Sequence, residues 1–221
     1  MATQNSWNNQ VTEANITFNG GTFSAGTDAT SGAINIGTGA AARTTTIGNT
    51  TGASATNINY GTGDITIASG TGTTMTLSDE GYIQKPLQPC FADTTGNALN
   101  VTGDGTVYTY VNFNNAYDPN GDFNHTTGTF TAPVSGLYSF DASVYLYDMP
   151  ANRTCRLNIV ESGGDQASDR FFNTNAGDLN MECSATFQLD AADTVTINIQ
   201  VSGGAKQVDT SCENFGGSLI N

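Results

Sequence analysis

Between Tyr138 and Tyr147 the side chains alternate without a break. Tyr138, Phe140, Ala142, Val144 and Leu146 fall on one side, and Ser139, Asp141, Ser143, Tyr145 and Tyr147 on the other. A period of two over ten residues predicts a β-strand with one dry face and one wet face. Pro133 has no N–H to give to a ladder, so it belongs just before that strand, and Gly136 permits a tight entry into it.

The surrounding chain reads the same way. Strands are expected near 89–92, 107–113, 128–131, 136–147, 155–161, 171–173, 181–189, 194–201 and 215–220. The one near 194–201 sends Val195, Ile197, Ile199 and Val201 inward. Turn chemistry separates the strands: Gly103-Asp104-Gly105, Asp118-Pro119-Asn120-Gly121, Ser162-Gly163-Gly164-Asp165 and Ser202-Gly203-Gly204. No useful helix-period segment occurs. Many short strands joined by Gly/Asn turns argue for an all-β sandwich or jelly roll.

The spacing of aromatics resembles the head domain of complement C1q and its tumour-necrosis-factor-like relatives. Asp118, Phe123, Phe130, Gly136, Tyr138 and Phe140 fall on that pattern. Asn112 stands where an aromatic belongs, with Phe113 one place off, and Ala142 replaces the final aromatic. Leu189-Asp190-Ala191-Ala192-Asp193-Thr194-Val195 resembles a later turn of the family without its Gly. Phe215-Gly216-Gly217-Ser218-Leu219-Ile220 resembles the closing strand. The resemblance covers about 88–221 and implies a ten-stranded jelly roll that assembles as a trimer. It does not by itself imply a ligand.

The first part of the chain differs. Of twenty aromatics, only Trp7, Phe18, Phe23, Tyr60 and Tyr82 precede residue 85, so only the later part has the means to build a core. Residues 21–84 are rich in Gly, Thr, Ser, Ala and Asn, with aliphatics returning at Ile34/Ile36, Ile47, Ile58, Ile65/Ile67 and Met75/Leu77. Segments such as Ile34-Asn35-Ile36-Gly37, Thr46-Ile47-Gly48-Asn49 and Ile65-Thr66-Ile67 read as copies of a short strand closed by a turn. One unit has too little apolar surface to fold alone, but stacked or intertwined copies would be stable. The alternative is a flexible linker, which has no need of regularly returning Ile. The stretch also looks like the repetitive shafts of phage and other viral fibres. The expected order is a polar docking leader at 1–20, a trimeric Gly/Thr/Asn-rich β-stem at 21–84, an extended connector at 85–89 (Lys85-Pro86-Leu87-Gln88-Pro89), and a jelly-roll head at 90–221. Trp7 and Phe18 are isolated anchors in the leader, suited to docking on a larger assembly.

The net charge of −14 comes with no basic cluster. Nucleic acid and anionic membranes are therefore excluded as expected partners. Met1–Gln10 has neither a positive n-region nor an apolar h-region, and no run is long enough to insert in a membrane. The reading is a chain made in a cytoplasm without a classical export signal. Cys90, Cys155, Cys183 and Cys212 are far apart, which suits buried free thiols better than zinc, with disulfides left open.

Catalytic motifs are absent. His125 is the single histidine, in a loop without a nucleophile elbow, and reads as a surface or interface residue. A glycan-cleaving spike would need paired carboxylates in a cleft, but most acids here sit in turns. Asp118 and Asp122 are the one calcium candidate, against an ordinary Asx-type turn; otherwise no cofactor is expected. Outward Tyr145 and Tyr147, leading into Asp148, Asn152 and Arg153, suit recognition of a glycan or protein, or burial between subunits. The expected function is structural rather than enzymatic. The chain would be a homotrimeric fibre or spike on a virus or phage particle, displaying its head for host-receptor binding or capsid decoration. The leader would contact other virion proteins, and the protein would be exposed on the virion surface after release. The alternative is a bacterial surface adhesin or lectin-like protein of the same architecture.

Overall fold

The computed structural model describes Ile58 and residues 63–70, 72–164 and 166–220. All but Ile58 belong to one compact unit, Tyr60–Asn221. Trp7, Phe18 and the units around Ile34–Gly37 and Thr46–Asn49 lie outside the described residues.

Among those residues there are fourteen strands and no helix. A first antiparallel sheet is a meander of β1 (Ile65–Ser69), β2 (Gly72–Leu77) and β3 (Ile83–Gln84). Then follow β4 (Cys90–Asp93), β5 (Ala98–Thr102), β6 (Val107–Thr109), β7 (Phe123–Asn124), β8 (Thr129–Thr131) and β9 (Gly136–Met149). The last five are β10 (Arg153–Glu161), β11 (Gln166–Asn173), β12 (Gly177–Leu189), β13 (Thr194–Ser202) and β14 (Val208–Leu219). The alternating stretch is β9, which lies between β12 and β14; β4 and β5 both pair with β14. We call this the β9 sheet. The opposing β13 sheet runs β11-β10-β13-β8-β7, with β6 also on β13. The two sheets hold five and six strands, rather than ten in all. β5 and the two-residue β7 are the strands of these sheets that the sequence did not predict.

The dry faces are those the alternation requires. Tyr138, Phe140, Ala142, Val144 and Leu146 of β9, and Val195, Ile197, Ile199 and Val201 of β13, are all buried. At one end the core is aromatic. The ring of Phe91 stacks on Phe123 at 4.4 Å and on Phe130 at 5.2 Å, and meets Phe215 edge-on at 5.0 Å. Towards the other end it is aliphatic, with Leu146, Met149, Leu157 and Val208 buried. All four cysteines are free thiols, Cys155 and Cys212 fully buried. Burial pushes the Cys155 thiol up to about 11 and Cys212 to about 12, so neither ionises at neutral pH.

Three local expectations change. The strand expected over 107–113 stops at Thr109, and the chain turns through Asn112 and Asn115, both with positive φ (59° and 61°), a conformation Asn tolerates. The turn brings the Phe113 ring edge-on to Phe123 at 5.0 Å, so Phe113 supplies the aromatic that Asn112 does not. The connector is not extended: the Gln88 N–H donates to the Lys85 carbonyl at 3.0 Å, closing a turn with Pro86 at its favoured second position. β14 begins at Val208 rather than at 215. Its polar Thr210 is buried because the hydroxyl meets Tyr110 Oη at 2.6 Å and donates to the Tyr145 carbonyl at 2.8 Å.

Gly217 is a point of close approach. A Cβ there would drive into the rings of Phe140 and Phe91, both buried. Gly217→Ala should therefore cost about 1–3 kcal/mol through overpacking. Gly96→Ala, where a Cβ meets nothing within 4 Å, should cost far less. Urea denaturation midpoints of the two variants check this; equal midpoints would contradict it.

Candidate recognition surface

Charge is distributed unevenly between the two sheets. The strands of the β9 sheet contain seven acids (Asp93, Asp141, Asp148, Asp178, Glu182, Asp209 and Glu213) and no Lys, Arg or His. The strands of the β13 sheet contain Arg153, Arg156 and Arg170 against only Glu161 and Asp169. Those two acids stand at positions turned towards the other sheet: Asp169 pairs with buried Leu157, and Glu161 is itself buried.

On the outward face of the β9 sheet, Tyr145 and Tyr147 stand edge-on at 4.8 Å. The Tyr145 hydroxyl donates to Asp178 at 3.0 Å, and that carboxylate raises the tyrosine's pKa. Tyr147 Oη and Ser211 Oγ are 3.1 Å apart. Asp148 sits in the left-handed region (φ 49°), and its N–H donates to Asp178 at 3.0 Å. The structure thus gathers Tyr145 and Asp148 around Asp178, a residue that sequence spacing alone did not single out, and sets Tyr147 against Tyr145 and Ser211. Further along the same face, Asp141, Ser143, Glu182, Ser184 and Asn214 line an open depression of about 390 Å³, with Asn214 hydrogen-bonded to Asp141.

Arg153 belongs elsewhere. Its Nη1 donates to the Gly203 carbonyl at 2.5 Å, and its guanidinium lies where a Cβ on Gly204 would sit. Asn152 takes a positive φ (60°), and its N–H donates to the Asn173 carbonyl. These two residues tie the start of β10 to the 203–204 turn and to the end of β11, apart from the tyrosine pair.

The turn at Asp118 is closed by its own carboxylate, which accepts the N–H groups of Gly121, Asp122 and Phe123 at 3.0–3.1 Å. These bonds reach three to five residues on, so the carboxylate caps the whole Asp118–Phe123 turn rather than closing an Asx turn, which would take the N–H two residues on. Among the described residues no group of three or more His, Cys, Asp or Glu side chains is arranged to hold a metal ion. His125, expected as a surface or interface residue, is half-buried within the chain. Its Nδ1 lies 2.6 Å from buried Asp93, and its Nε2 lies 3.7 Å from Asp118. Asp93 also accepts the N–H groups of Thr94, Asn115 and Ala116. Asp93 therefore pins the 112–125 loop to β4, a role that a separation of 32 residues hides from sequence reading. Beside it, Asp122 Oδ2 is buried without a partner. Burial, and then the Asp118 charge, raise the Asp122 pKa above 3.8.

An acid whose pKa is raised on folding favours the fold when protonated, and that contribution is lost as pH rises through the folded value. Ionised Asp122 therefore opposes folding at neutral pH. Asp122→Asn should raise the urea midpoint at pH 7, and the gain should shrink as pH falls towards 3.8. A gain independent of pH, or a loss at pH 7, would contradict this.

A family model described as the C1q domain matches residues 97–220, more than half of the chain. The solved globular domain of zebrafish complement 1qA protein is similar at 24% identity, covering 61% of this chain and 98% of that one, with a TM-score of 0.44. Comparison with curated proteins finds no match. C1q domains are non-enzymatic and commonly form homotrimers. The two antiparallel sheets, the aromatic spacing from Phe123 to Phe140 and the family match together place this chain in the C1q domain family.

Proposed function

We propose that this chain is a trimeric fibre or spike of a virus or phage particle, in which a C1q head is displayed to bind a host-surface glycan or protein. The observation that carries the reading is the β1–β3 sheet. It is short, yet it leaves Ile67 half exposed, and Tyr82 and Ile83 beside and within β3 about two-thirds exposed. With β3 only two residues long the sheet is little more than a two-stranded hairpin, which is marginal in water on its own. Copies meeting around a common axis would bury those side chains and give each stem its partners. Next to it, Leu87, Pro133, Val134 and Ile220 line an apolar depression of about 360 Å³ at the base of the head, and Leu87, Val134 and Ile220 are exposed. This extends the surface that partner copies would cover.

In this reading the head works by binding, with no metal or cofactor in its action. Trp7 and Phe18 attach the leader to other virion proteins, and the head faces outward from the released particle. The returning Ile of residues 34–77 and the C1q head after them support the reading.

Light scattering on the full-length chain tests it. The expected mass is about three times 22.9 kDa. Ile67→Asp combined with Ile83→Asp should shift the population towards single chains, with the far-ultraviolet circular dichroism of the head unchanged. A single-chain mass for the unaltered protein would overturn the proposal.

A further inference from the structure

We propose that the outward face of β10, β11 and β13 is the recognising surface, and that it binds a carboxylated glycan. This deepens the reading of the chain as a display head and rests on it. Three observations carry the inference. First, Arg156 and Arg170 are cross-strand partners on β10 and β11. Like charges directly opposite one another in a sheet destabilise it. In a chain of net charge −14, a nearby carboxylate would be the simplest remedy, yet among the described residues no Lys or Arg forms a salt bridge. The outward positions of these three strands carry no Asp or Glu at all. An anion supplied from outside relieves this repulsion.

Second, the arginine is held in place. Arg156 Nε and Nη2 donate to Ser168 Oγ at 3.3 and 3.1 Å; Ser168 donates to Asn158 at 2.7 Å, and Asn158 to Asn198 at 2.6 Å. This ladder crosses all three strands and fixes the guanidinium, with its Nη1 left for a ligand. Arg170 makes no hydrogen bond or ion pair with a described residue and is exposed. Paired guanidinium groups match the planar, bidentate geometry of a carboxylate.

Third, the rest of the face suits a sugar better than a protein. Phe172, one pleat along from Arg170 and 55% exposed, offers a ring for the C–H face of a pyranose. Apart from half-buried Val160, the remaining outward positions of the face are amides and hydroxyls that can pair with sugar hydroxyls. A protein partner would want an apolar centre, which this face lacks. The charged side chains on the tyrosine face of the β9 sheet are all acids, and so it repels the same ligand.

The test measures binding of oligogalacturonate to the full-length protein by calorimetry at low and moderate salt, with a neutral dextran oligomer as control. Light scattering is run on the same samples. We expect binding to the uronate oligomer that weakens with salt, and none to dextran. Arg170→Gln should weaken binding about five- to tenfold. Arg156→Gln with Arg170→Gln should abolish it, and Phe172→Ser should weaken it with the salt dependence unchanged. No binding by the unaltered protein, equal binding by the arginine variants, or equal binding of dextran would each overturn the proposal. A fall in oligomer mass in the arginine variants would also overturn it, because the face would then be a contact for the acidic surface of another copy. A single-chain mass with uronate binding intact would defeat the fibre reading alone.

Discussion

The head depends on a stack of rings closing the space between two sheets. Phe91 of β4 meets Phe123 and Phe130 from the opposite sheet, and Phe140 and Phe215 complete the cluster from its own. At 37% hydrophobic content the chain has few apolar residues, and it gathers its aromatics where each can bury a large area. Gly217 makes room for this by leaving open the space that the Phe140 and Phe91 rings occupy. The loop carrying Asp118, Phe123 and His125 is tied to the same end through Asp93. The ring cluster and the Asp93 hydrogen-bond cluster are therefore neighbours, joined where Phe123 meets His125 edge-on, and each limits how far the other can shift.

Once the two dry faces are committed to that core, the two wet faces are free to differ, and they do. Pairing rules place acids and tyrosines outward on β9, β12 and β14, and arginines, amides and hydroxyls outward on β10, β11 and β13. A strongly acidic chain gains solubility from its overall charge. It gains selectivity only where that charge is locally reversed, and the cross-strand arginines are the place where this happens.

Much of this was legible from pattern. The alternation from Tyr138 to Leu146 and from Val195 to Val201 identified buried faces because a period of two has one geometric meaning. Phe113 was ambiguous until the left-handed turn at Asn112 showed how a one-residue offset is absorbed. Asp93 and His125 could not be joined by spacing, because side-chain contacts across 32 residues depend on how the loop returns. Arg153 looked like part of the tyrosine cluster because it is near in sequence, but a strand reversal carries it to Gly203. The arginine pair did leave a signal. Arg156 and Arg170 each lie seven residues from Gly163, the centre of a Gly-Gly turn, so a symmetric hairpin places them opposite one another.

Hydrogen–deuterium exchange of the full-length chain, with and without oligogalacturonate, tests most directly the claim that one of the two faces is the recognising one. Slowed exchange is expected in the two strands spanning 153–173, with 136–149 and 177–189 unchanged. Slowing confined to the tyrosine-bearing strands, or nowhere, would contradict it.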